Sequence, residues 1–107
     1  MIQLDIDAGV SVPRLSRLTR LTRRAGYRVT ALSQTRSPSG KGWHLVLTVQ
    51  PRPSPLATVA LQAILGSDKG REACNLYRVN RVMTGQVSAW WARRWNVLYR
   101  TTGRYGQ

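Results

Sequence analysis

Two stretches of alternation constrain this chain more than any other feature. Over residues 2–7, Ile2, Leu4 and Ile6 alternate with Gln3, Asp5 and Asp7; over 43–49, Trp43, Leu45, Leu47 and Val49 alternate with His44, Val46 and Thr48. A period of two marks a strand with one buried face, so both segments are expected in a sheet, with Asp5 and Asp7 pointing the same way, off the core. Residues 27–35 repeat the pattern, with Tyr27, Val29 and Ala31 opposed to Arg28, Thr30 and Leu32. Between the first two strands the period changes. Ser11 suits an N-cap and Pro13 an early helical position. Leu15, Leu18, Leu21 and Ala25 then fall on one side and Arg17, Arg20, Arg23 and Arg24 on the other, and Gly26 is placed to end the helix.

The Ser-, Pro- and Gly-rich stretch 37–42 is a turn by composition, and Pro51, Pro53 and Pro55 forbid regular sheet pairing after the third strand. Leu56, Val59, Ala60, Ala63 and Ile64 form a helical stripe expected to face the core, stopping at Gly66. Ser67 or Asp68 can cap a following helix that carries Ala73, Leu76 and Tyr77. Residues 84–94 have no clear period. Trp95, Val97 and Tyr99 alternate with Asn96, Leu98 and Arg100 as a last strand, with Trp95 in the core, before a basic, flexible tail over 101–107. The order is that of an α+β, ferredoxin-like or RRM-like βαββαβ fold, an antiparallel four-stranded sheet with helices on one face. A chain of 107 residues makes this a single domain, 1–107. In that topology the first and third strands are neighbours, and Asp5, Asp7 and His44 would share the uncovered face.

Composition points to the partner. Seventeen Lys and Arg stand against four Asp and Glu, a formal charge of +13, and such a surface repels itself unless a polyanion is near; DNA or RNA is the commonest. The lone Cys74 rules out an intrachain disulfide framework and suits a reducing compartment. No apolar stretch approaches the ~20 residues needed to cross a bilayer, and the N-terminus lacks a signal-peptide pattern, so a cytoplasmic protein without membrane contact is expected.

Three groups of residues carry possible chemistry. Asp5 and Asp7, two apart on a strand, suit a hard cation such as Mg²⁺ or Mn²⁺ completed by phosphates and water, or are simply solvated positions of an amphipathic strand. Ser39, Gly40, Lys41 and Gly42, just before His44, offer amides, a hydroxyl and an ammonium to a phosphate, or form an ordinary hairpin turn. Arg17, Arg20, Arg23 and Arg24, with Arg93, Arg94 and Arg100 beside Trp90, Trp91 and Trp95, suit phosphates and unpaired bases. Cys74 reads as a small buried residue.

With Asp5-Ile6-Asp7 and Ser39-Gly40-Lys41-Gly42-Trp43-His44 in place, the first half of the chain resembles the RRM-like catalytic half of the archaeo-eukaryotic primase superfamily, the primase-polymerases. The resemblance implies a role in DNA replication, with divalent metal at Asp5 and Asp7, a nucleotide triphosphate held through Ser39, Lys41 and His44, and nucleotidyl transfer. The family carries a third acidic residue on a later strand, where this chain has Asn96. Two other functions fit the same residues: a non-catalytic RNA- or DNA-binding module driven by phosphate contacts, and a small basic inhibitor of viral or plasmid type acting on another protein.

Overall fold

β1 (Ile2–Ile6) and β3 (Trp43–Gln50) pair antiparallel, with Leu4 opposite Leu45 and Asp5 opposite His44. The register sets both apolar faces on the same side of the sheet. β2 (Arg28–Arg36) pairs antiparallel with the other edge of β3, with a bulge between Val29 and Ala31, giving the order β1-β3-β2. The computed structural model describes residues 1–38, 40–86 and 95–96, and among these the fold is a three-stranded antiparallel sheet with three helices: α1 (Leu15–Arg24), α2 (Pro55–Ile64) and α3 (Lys69–Met83).

The core lies on one face. Ile2, Leu4 and Ile6 from β1 and Leu45, Leu47 and Val49 from β3 meet Leu18 of α1 and Leu61 and Leu65 at the end of α2. Gly26, with φ +95°, closes α1 as its position suggests, in a conformation costly to any residue with a Cβ. The start of α1 differs from expectation. Arg14, not Ser11, is the N-cap and makes no side-chain cap, so the helix begins at Leu15 with that side chain 57 % exposed.

α2 and α3 depart further. The stripe expected inside is largely outside: Leu56 and Ile64 are half exposed or more, and Ala60 and Ala63 are exposed, whereas Val59, Leu61 and the polar Thr58 and Gln62 are buried. On α3 the expected core residues Leu76 and Tyr77 are exposed, as are Ala73 and Cys74, while Glu72, Asn75 and Val79 are buried. The inward polar residues have a task at β1. Gln3 N–H donates to Gln62 Oε1 (2.9 Å) and Gln3 C=O accepts from Arg71 Nη1 (3.0 Å). Asp5 N–H donates to Ser67 Oγ (3.0 Å) and Asp5 C=O accepts from Asp68 N–H (2.7 Å). The outer edge of β1 is thereby satisfied along residues 3–5 by side chains and one amide, as buried backbone groups must be.

That edge is where the fourth strand of a ferredoxin-like sheet would pair. Of the expected last strand only Trp95 and Asn96 fall within the described residues, and neither is in a strand; the rest, with the tail 101–107, lies outside them. Trp95 is buried against Val59, Val79 and Val82, as expected of a core residue. Asn96 joins the β1 edge, donating to Met1 C=O and Gln62 Oε1 and accepting from Arg71 Nη2. No described helix is long and apolar enough to cross a membrane.

Candidate functional site

Asp5 and His44 are cross-strand partners, and their side chains meet, with His44 Nε2 3.6 Å from Asp5 Oδ1. Alternation therefore placed them correctly on one face, away from the apolar cluster. Thr35 of β2 lies opposite His44 on its other side, so Asp5, His44 and Thr35 form one row across the sheet. The row is not an open platform, because the imidazole is only 8 % exposed.

Asp7 lies one residue beyond the end of β1 and is solvent-exposed. Its neighbour is Asp68, the N-cap of α3, whose Oδ2 accepts from Arg71 N–H (2.8 Å). A hydrogen bond between the two carboxyls raises Asp7 above its ordinary pKa and lowers Asp68, which Arg71 N–H also helps hold ionised. Asp7 is thus the member of the pair that keeps a proton longer.

The fourth carboxylate completes the corner. Glu72 is 4 % exposed and accepts from Gln62 Nε2 (2.7 Å), Ser67 Oγ (2.6 Å), Asn75 Nδ2 (3.1 Å) and Arg71 Nη1. Every Asp and Glu of the chain is therefore at the C-terminal end of β1 or the first turn of α3, held by local donors or by each other. Among the described residues, no three His, Cys, Asp or Glu side chains converge to hold a metal ion. Asp5 faces His44 while Asp7 faces Asp68, so these side chains do not fit the divalent ion expected at Asp5 and Asp7.

Burial pushes the Asp5 carboxyl above its ordinary value of 3.8, and His44 and then Arg71 only partly offset this. The sign for stability follows by linkage. Just above pH 3.8 the folded chain keeps a proton that the unfolded chain releases, so stability falls as pH rises through that window. Asp5→Asn is expected to melt higher than the parent at pH 7 and to lose this advantage below the ordinary carboxyl range. Thermal melts at the two pH values check it; a lower melting temperature for the variant at pH 7 would count against burial as the governing effect.

The 37–42 loop is built from its own hydrogen bonds. Ser37 N–H donates to Gly42 C=O (2.9 Å), Gly42 N–H to Ser37 Oγ (3.0 Å) and Gly40 N–H to Ser37 C=O (2.8 Å). Two of the amides expected to greet a phosphate are thus engaged within the loop, while Lys41 is exposed. Gly42 has a packing reason to be glycine: a Cβ there would lie 2.3 Å from the Ile6 carbonyl oxygen. Gly42→Ala is expected to cost about 1–3 kcal/mol, because backbone must move to admit the methyl; an unchanged denaturation midpoint would contradict so close an approach.

Arg17, Arg20, Arg23 and Arg24 are all exposed on α1. Arg28, Arg36 and Lys41 on β2 and the hairpin loop are exposed too, with the Arg36 guanidinium 4.3 Å over the Trp43 ring. Ser39, Arg93, Arg94 and Arg100 lie outside the described residues, as do Trp90 and Trp91. Sequence reasoning missed Asp68 and Glu72 as neighbours of Asp5 and Asp7. The signal available was scarcity, since four carboxylates in so basic a chain are few enough for each to need a reason. No family model, no curated protein and no solved structure matches the chain.

Proposed function

We propose that this chain binds nucleic acid through phosphate contacts from α1 and the β2–β3 hairpin, with little dependence on base sequence. The observation that carries this reading is the segregation of charge. None of the four carboxylates lies on α1, β2 or the hairpin loop, whereas Arg14, Arg17, Arg20, Arg23, Arg24, Arg28, Arg36 and Lys41 are all exposed there. Basic segments that carry no acid of their own attract a polyanion and release its condensed counterions. Sequence reading of single strands draws on aromatic stacking, and the row Asp5, His44 and Thr35 and its neighbours Gln3, Val46 and Ser33 contain no aromatic side chain beyond the buried imidazole. The fold that goes with this reading is a variant of the ferredoxin-like plan in which the α2–α3 corner stands beside β1.

Fluorescence anisotropy with labelled single-stranded and duplex oligonucleotides of unrelated sequence tests it. Affinities should agree across sequences within about tenfold, and should fall by about 10² or more between 50 and 200 mM salt, as several phosphate contacts require. Binding indifferent to salt would sink the proposal.

A second reading, the nucleotidyl transfer implied by the primase-polymerase resemblance, is favoured by the meeting of Asp5 with His44 and the approach of Asp68 to Asp7. It would need side-chain movement before a cation could be held. Nucleotide incorporation with Mn²⁺ or Mg²⁺ that disappears in the Asp5→Ala, Asp7→Ala double variant, with folding retained, would support it; incorporation absent with both ions would remove it.

A further inference from the structure

α2 and α3 depart from the usual helix of a small domain: beside the buried Val59, Leu61 and Val79 they turn polar side chains in and several large apolar ones out. Gln62, Glu72 and Asn75 are buried at 0–4 % exposure, while Leu56, Ile64, Leu76 and Tyr77 stand at 49–62 %. Between the helices runs a largely apolar groove of about 360 Å³, lined by Leu56, Val59, Ala60, Ala63, Ala73 and Leu76 with Lys69 and Glu72 among them. Scattered exposed leucines need no explanation, but a continuous apolar face on two adjacent helices does.

We propose that this face is the contact of a twofold homodimer in which α2 packs antiparallel against α2 of a second copy. Charge selects the occupant. Residues 53–68 contain no Lys or Arg, although the chain has seventeen, and the one basic residue in the groove lining, Lys69, is matched there by Glu72, so this near-neutral surface is where two copies of charge +13 approach with least repulsion. It offers a phosphate backbone only Lys69. The outward stripe of α2 is also self-complementary. Leu56 and Ile64 lie four residues either side of Ala60, so an axis through Ala60 sets Leu56 against the partner's Ile64, while Ala60 and Ala63 let the helices come close.

The size of the face sets the strength. α2 and α3 have 10 and 15 residues, hence lengths of about 15 and 22 Å, and lie side by side at about 10 Å. Together they offer several hundred Å² per subunit, short of the ~800 Å² of a standard stable interface. A weak, reversible dimer is therefore expected. Its salt dependence is the reverse of that for nucleic acid: screening the like charges should tighten the dimer.

Sedimentation velocity on the full chain freed of nucleic acid, from about 2 to 200 µM protein and about 0.1 to 1 M salt, tests the dimer. The expected result is a reversible monomer–dimer equilibrium around the 12.0 kDa subunit, at least fivefold tighter at high salt by screening. Ile64→Glu should weaken it tenfold or more, and Leu56→Glu likewise, with melting temperature unchanged at concentrations where the parent is monomeric, because both side chains are exposed in the single chain. A monomer under all these conditions, a dimer indifferent to both substitutions, or one that dissociates as salt rises would each overturn the proposal. Failure of nucleic-acid binding would leave it intact, since the two surfaces share no residue.

Discussion

Glu72→Ala is expected to unfold most of the protein near physiological temperature. The carboxylate sits at 4 % exposure and receives hydrogen bonds from Gln62, Ser67, Asn75 and Arg71. Its removal takes the nearest counter-charge from the Arg71 guanidinium, whose side chain is 8 % exposed and which also donates to Gln3 C=O and Asn96 Oδ1. Breaking a buried ion pair from one side costs about 3–5 kcal/mol, against a total stability of about 5–15 kcal/mol for a domain and less for a small one. The melting temperature should fall by about 15 °C or more. Hydrogen exchange should accelerate at the amides of Gln3 and Asp5, whose acceptors belong to the same network, before it does at Leu4. Removing both charges, as in Arg71→Met with Glu72→Met, should restore part of the stability, since the apolar pair leaves no charge uncompensated. A fall of under about 3 °C in Glu72→Ala would show that the network does not hold the β1 edge.

That network also marks where the sequence stopped being informative. β1 and β3 were legible because each exposes one face of a sheet to the core, and the resulting alternation survives any tertiary context. The ends of helices were legible too, at Gly26 and at Asp68, because caps are local. The facing of α2 was not. From Pro55 to Leu65 only Thr58 and Gln62 are polar, so the helix has apolar side chains all round, and the choice of inward face is made by the unpaired edge of β1, which needs Gln62. α3 follows for the same reason: Glu72, Asn75 and Val79 form a helical stripe, but a periodicity that counts only apolar residues passes over it. A similar limit applies to the acidic corner. Asp5 and His44 were brought together by register alone, whereas Asp7 lost its place in the row because β1 ends at Ile6, and Asp68 reaches it from 61 residues away through the turn into α3.

The gathering of acids has a complement in what it leaves elsewhere. With every carboxylate drawn to one corner, the segment from Arg14 to Arg24 carries five arginines and no counter-charge of its own. Arg17, Arg20 and Arg24, at spacings of three and four, are exposed along one side of α1. Their replacement by Gln keeps helix propensity and length while removing three charges; taking Arg24 from the last turn costs about 0.5 kcal/mol through the helix dipole, too little to affect folding. Duplex affinity at low salt should drop by about 10²–10³.

The most direct test is the slope of log affinity against log salt for duplex DNA, measured on the parent and on the Arg17, Arg20 and Arg24 to Gln variant. If α1 meets phosphates through these side chains, both plots are straight and the variant's slope is shallower by about 2.7, close to 0.9 for each phosphate that is no longer neutralised. Equal slopes would remove α1 from the interface, and a flat line for the parent would contradict nucleic-acid binding through phosphates altogether.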